Sequence, residues 1–165
     1  ATVRTTLVAE QSTAAGNATP IDFAGIPSGV KEIKLMLVGT SLSGTANILV
    51  QLGDSGGFET AGYLSTAVEL GGGNTAASST AGFILTASLA ADSIVSGTIT
   101  FSLEDSSDNT WVSSGNIKSS TTRLMTSAGQ ITGGQLSSVV TQLRLTTTNG
   151  TDNWDAGVAS LSYTF

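Results

Sequence analysis

From Val95 to Leu103 the side chains alternate strictly. Val95, Gly97, Ile99, Phe101 and Leu103 occupy one parity, and Ser96, Thr98, Thr100 and Ser102 the other. A period of two cannot form the apolar stripe of a helix, which needs a period of 3.6. It gives a half-buried strand with one apolar face. The same period recurs along the chain. Ile33, Leu35 and Leu37 share a face, backed by Lys34, Met36 and Val38 on a second face that is partly apolar. Ile48, Val50 and Leu52 repeat it, then Val139, Thr141, Leu143 and Leu145, then Ala159, Leu161, Tyr163 and Phe165. Shorter strand segments are expected at Ile21-Asp22-Phe23, Phe58 to Tyr63, Phe83-Ile84-Leu85, around Trp111-Val112 and over 117–126.

Turn residues punctuate these runs: Pro27-Ser28-Gly29, Gly39 to Gly44, Gly53 to Gly57, Glu104 to Asn109 and Asn149-Gly150-Thr151-Asp152. Leu70 to Ala81 and Ser127 to Ser138 are rich in small residues and read as long loops. The expectation is eight to ten short strands, no amphipathic helix, and an all-β, jelly-roll-like sandwich. Residues 1–19 read as an arm in which Val3, Leu7 and Val8 pair or pack, and 20–165 as a single domain. The aromatic anchors of the last strand pin the end of the chain into a sheet.

Composition agrees with that class. The 165 residues include 48 Ser and Thr and 20 Gly, but the charged fraction is 11%, against about 25% for an ordinary soluble domain. A surface so poor in charge is either simply coated with Ser and Thr or partly covered in an assembly, since interface cores are depleted in charge. The net charge is −6, and the six basic residues, Arg4, Lys31, Lys34, Lys118, Arg123 and Arg144, are scattered. Nucleic-acid binding draws on clustered Lys and Arg, so no nucleic-acid partner is expected. No apolar run approaches the ~20 residues of a membrane helix, so no membrane insertion is expected. No signal peptide is visible. Ala1 is small enough to follow a removed initiator Met, so the chain is read as a full gene product.

Chemistry has few places to reside. Gly53-Asp54-Ser55-Gly56-Gly57 matches the segment around the nucleophile of trypsin-like serine proteases, but a serine there needs an imidazole base and the chain has no His. With no His and no Cys, zinc and other borderline metals lack good ligands. Oxygen ligation of calcium remains open at Asp105/Asp108 and at Asp152/Asp155, neither of which matches an EF-hand loop; the alternative is a solvated turn. No carboxylate pair suits a glycosidase. Trp111 and Trp154 either stack on sugars or, more ordinarily, fill the core. Gly71-Gly72-Gly73 lacks the Lys-Ser/Thr of a phosphate loop. Asn17-Ala18-Thr19 and Asn149-Gly150-Thr151 satisfy the glycosylation sequon. The expectation is therefore a non-enzymatic chain with no cofactor, no metal and no catalytic residue.

Three segments carry a resemblance. They are Ile21 to Ile33 (IDFAGIPSGVKEI), Ile48 to Gly57 (ILVQLGDSGG) with Tyr63, and Leu143 to Asp152 (LRLTTTNGTD) followed by Asp155-Ala156-Gly157. Thr110 to Gly115 (TWVSSG) fits the same pattern. Together they resemble small tailed-bacteriophage virion proteins and phage tail-fibre end domains, across about residues 20–165. The resemblance implies a β-rich, trimeric module outside a virion, synthesised in the host cytoplasm, and no transferable binding residues. It leads to the expectation of a capsid decoration (cement) protein whose partners are itself, as a homotrimer, and the major capsid protein or other virion proteins. The alternative is a tail-fibre or receptor-binding tip that binds a host-surface glycan or protein through loops 64–81 and 127–138.

Overall fold

The computed structural model describes residues 5–7, 11–12 and 19–165. In chain order the strands are β1 (Thr5–Leu7), β2 (Gln11–Ser12), β3 (Ile21–Ala24), β4 (Glu32–Leu42), β5 (Ile48–Asp54), β6 (Gly57–Phe58) and β7 (Tyr63–Leu70). They continue with β8 (Ala76–Ser79), β9 (Phe83–Ile84), β10 (Val95–Asp105), β11 (Thr110–Lys118), β12 (Leu124–Ile131), β13 (Gln142–Thr147) and β14 (Trp154–Thr164). The described residues contain no helix, and so none long and apolar enough to cross a membrane.

The fold is all-β, a sandwich-like pair of antiparallel sheets. The larger sheet runs β1-β14-β4-β10-β11-β12-β7-β8, with β2 also on β14. The smaller runs β3-β13-β5-β6, with β9 also on β5. The alternating runs make the inner faces. Ile33, Leu35 and Leu37 of β4, Ile99 and Phe101 of β10, and Leu161 and Tyr163 of β14 meet Phe23, Val50, Leu52, Leu143 and Leu145 of the smaller sheet in one core. Burying a side chain of this kind contributes roughly 1.5–3 kcal/mol. Tyr63 and Phe83 lie edge to face at 5.0 Å, and Phe83 leans on Phe101 at 5.2 Å. Tyr63 Oη accepts the Leu52 amide at 2.9 Å and donates to the Glu59 carbonyl at 3.2 Å, tying β7 to the smaller sheet.

β5 is buried on both faces. Its second face, at Leu49, packs with Ile84, Ala67, Ala87 and Ala77. The larger sheet, at its β7–β8 end, thus wraps the β9 edge of the smaller one. Small side chains at Ala67 and Ala77 permit that approach.

Several expectations change. There are fourteen strands among the described residues, not eight to ten. Gly39 to Gly44 does not turn the chain at Gly39: β4 continues to Leu42, and the register shifts on either side of Ala156 leave an extra residue first in β14 and then in β4. Gly39 (φ +63°) and Gly157 (φ +92°) carry this bend, and a Cβ on Gly157 would lie 2.4 Å from the Gly39 carbonyl oxygen. A bulge absorbs an extra residue without ending the strand, which sequence alternation alone does not reveal. The strand expected over 117–126 straddles a hairpin turn between β11 and β12. Val139 and Phe165 are exposed and lie outside β13 and β14.

Both expected long loops are shorter than the sequence suggested, reduced to 71–75 with 80–81 and to 132–138. β7 and β8 fill most of 64–81, and β12 reaches Ile131. The inward positions of these strands are Tyr63, Ser65, Ala67 and Glu69, and Met125, Ser127, Gly129 and Ile131, whereas Leu64, Leu70 and Leu124 point outward and are exposed. Small and polar inside with apolar outside inverts the usual strand pattern, which is why the segments read as loops. Of the arm, Leu7 pairs with Ser162 through the backbone, while Val3 and Val8 lie outside the described residues.

Candidate functional site

The protease-like string closes the β5–β6 hairpin. Asp54 pairs with Gly57, and Ser55-Gly56 form the two-residue turn. The buried Asp54 carboxylate accepts the Gly56 amide at 2.7 Å, the Ser137 hydroxyl at 2.8 Å and the Ser138 amide at 2.9 Å. Burial pushes the carboxyl up, but these hydrogen bonds outweigh it and hold it below its ordinary value. Asp54 therefore fastens the 54–57 turn to the 137–138 loop. Gln142 Nε2 donates to the Asp54 carbonyl at 2.9 Å and reinforces the join. Ser55 Oγ lies 3.4 Å from Ser138 Oγ, another hydroxyl and not a base.

The acidic turns are built in the same way. Asp105 Oδ1 accepts the Ser107 amide at 2.7 Å, which together with the Ser107 hydroxyl holds the carboxyl below its usual range. Asp108 Oδ1 accepts both the amide and the hydroxyl of Thr110. Asp152 accepts the Ala46 amide at 2.9 Å and Asn149 Nδ2 at 2.9 Å, and Asp155 accepts the Ser41 hydroxyl. Each carboxylate is engaged by neighbouring donors, as Asx residues in turns ordinarily are. Among the described residues no three acidic side chains converge on one point.

Trp111 and Trp154 are 2% and 0% exposed, so neither offers a face to a sugar. An apolar cleft of about 140 Å³ opens at one end of the sandwich, lined by Pro27, Val30, Leu103, Trp111, Val139 and others. The sequence did not point to it, because its walls come from four separate loops and strand ends.

On the outer face of the smaller sheet Arg144 makes a two-pronged ion pair with Asp22 at 2.8 and 2.9 Å. Its guanidinium also stands 4.1 Å over the Phe58 ring. The Asp22 hydrogen bond and charge raise the Arg144 pKa further. Arg144 alternates with Leu143 and Leu145, so its outward direction was legible; its partner, 122 residues away, was not. At the far end of the larger sheet, Glu69 is buried with Arg123 Nε at 3.5 Å.

What remains is surface. The outer face of the larger sheet forms continuous cross-strand rows. One runs Ser160-Met36-Thr98-Asn116-Thr126-Val68-Ala76, and the next Ser162-Lys34-Thr100-Ser114-Ala128-Thr66-Ser78. Such a face carries hydroxyl, amide and aliphatic groups in register, with Lys34 among them. No family model, no curated protein and no solved structure matches this chain.

Proposed function

We propose that the chain is a structural protein on the exterior of a bacteriophage virion. It acts as a capsid decoration or cement module, through self-association and binding to capsid subunits, without catalysis. The sandwich is read as a jelly-roll-like module that assembles as a trimer.

One observation carries the reading. The three segments that bear the resemblance are far apart in sequence, yet their strands are hydrogen-bonded neighbours: β3, β13 and β5 stand side by side in the smaller sheet. The shared pattern therefore describes one spatial unit and not three separate turns. The fourth segment, Thr110 to Gly115, lies in β11, where Trp111 anchors the core. The low charge and the row-ordered outer face suit a module covered by neighbours. The tip alternative drew on the fibre-like resemblance and on contact loops at 64–81 and 127–138. β7 and β8 take up most of the first segment, and β12 takes up the start of the second, to Ile131.

The test is the copy number in virions of the encoding phage, by quantitative mass spectrometry, with particle imaging of the shell. A decoration protein scales with the number of capsid subunits and leaves density on the head. A few copies per particle, with no shell density, sinks the reading in favour of a tail location.

A further inference from the structure

We infer that the outer face of the larger sheet, centred on β11, β12 and β7, is where copies of this chain meet. The observation is electrostatic. Across the outward positions of β11, β12, β7 and β8, Lys118 is the one charged side chain, and there is no carboxylate. The described acidic residues lie elsewhere. Asp22, Asp54 and Glu59 belong to the smaller sheet and its β6 end, and Asp92, Asp108, Asp152 and Asp155 to turns and strand ends. Glu69 points inward, while Glu32, Glu104 and Asp105 sit at one end of β4 and β10. A chain of net charge −6 repels its own copies. The approach that brings no carboxylates together is through this face.

Size and texture agree. β11, β12 and β7 at about 26 Å, β8 at about half that and the uncharged stretch Ser96 to Ser102 of β10, at about 4.8 Å spacing, cover roughly 550 Å². Doubled across two copies, that is about 1,100 Å², at the small end of protein–protein interfaces. Apolar side chains stand at both ends: Val112 and Leu64 flank Gln130 in one row, and Leu124 and Leu70 adjoin beside Lys118 in another, with Leu64 60% exposed. Thr66, Thr126, Ala128 and Asn116 lie between them, side chains short enough for two sheets to approach closely. The occupant is thus a second copy of the chain. This specifies the self-association in the reading above and does not depend on the capsid.

The full chain, purified alone, is examined by light scattering behind size exclusion. The expected mass is a multiple of 16.5 kDa. Thr66→Glu with Thr126→Glu should reduce it to one chain while far-UV circular dichroism stays unchanged; Ala24→Glu, on the exposed face of the smaller sheet, should leave the assembly intact. Because the chain has no Cys, a bis-maleimide should crosslink copies carrying Ala128→Cys and not copies carrying Ala24→Cys, which reads the face even if the double variant misfolds. A wild-type monomer at every concentration overturns the inference and leaves virion copy number to judge the shell reading. An assembly untouched by the two glutamates, or crosslinked through Ala24→Cys instead, overturns it too.

Discussion

Replacing Asp54 by Asn keeps the shape of the side chain and removes its charge. In the wild type three donors converge on the carboxylate at 2.7–2.9 Å. An amide has one acceptor oxygen, so its NH2 must face either the Gly56 amide or the Ser137–Ser138 pair. A hydrogen bond to a charged group contributes about 1.5–3 kcal/mol. Gly56 and Ser137 are exposed and can turn to water, so the expected loss is about one such bond, ~1.5–3 kcal/mol. In a domain of this size that lowers the melting midpoint by about 3–10 °C. Urea unfolding followed by the fluorescence of the two buried tryptophans reads it directly, with an unchanged slope against denaturant. The pH dependence is the sharper test. The folded carboxyl titrates below its ordinary value. Its contribution is therefore complete above an unfolded pKa of about 3.9, and it is lost as pH falls through the lower folded value. The gap between wild type and Asp54→Asn should be widest near neutrality and narrow as pH falls below the unfolded carboxyl's value. A gap under about 0.5 kcal/mol at pH 7, or one that persists undiminished in acid, would refute the fastening role.

Other substitutions probe other joints. Tyr63→Phe strands the Leu52 amide in the core and should cost about 1–3 kcal/mol in urea titration. Arg144→Lys should destabilise nearly as much as Arg144→Ala, each by about 0.5–1.5 kcal/mol, because the fork onto Asp22 and the stacking on Phe58 both need a guanidinium. Gly39→Ala, at a positive φ with open space around it, should cost about 1 kcal/mol; Gly157→Ala, which also drives its Cβ into the Gly39 carbonyl, should cost more than twice that, measured as the shift in thermal midpoint.

Strands that keep their apolar residues on the inward parity were legible from the sequence. Leu35, Ile99, Leu143 and Leu161 are at most 1% exposed, as their alternation demanded. β7 and β12 were not legible, because they face a close-packed partner and so place Ser65, Ala67, Ser127 and Gly129 inside. Proximity had taken the small side chain that periodicity expects to be large. β8, with its Ala and Ser, gives no amphipathic signal at all. The hairpin role of Asp54-Ser55-Gly56-Gly57 was legible, since Gly, Ser and Asp favour turns. Its anchorage to Ser137 and Ser138 was not, because a hydrogen bond over 83 residues leaves no local mark. The outer face fell between the two: the low charge was plain in the composition, but its concentration on one side needed the register.

The position of the last two strands has a consequence for how the chain matures. β13 lies between β3 and β5 in one sheet, and β14 between β1 and β4 in the other. Both are interior strands contributed by the final quarter of the chain. A ribosome-bound intermediate that lacked them would hold β3 apart from β5 and expose the full length of β4 as an open edge. The smaller sheet cannot close until synthesis has passed Thr147, nor the larger until it has passed Thr164, and closure then requires insertion between strands made long before. Such non-local pairing places folding on the slow, millisecond-to-second side of the two-state range. It also leaves β4 as the template on which an immature chain would recruit the wrong partner.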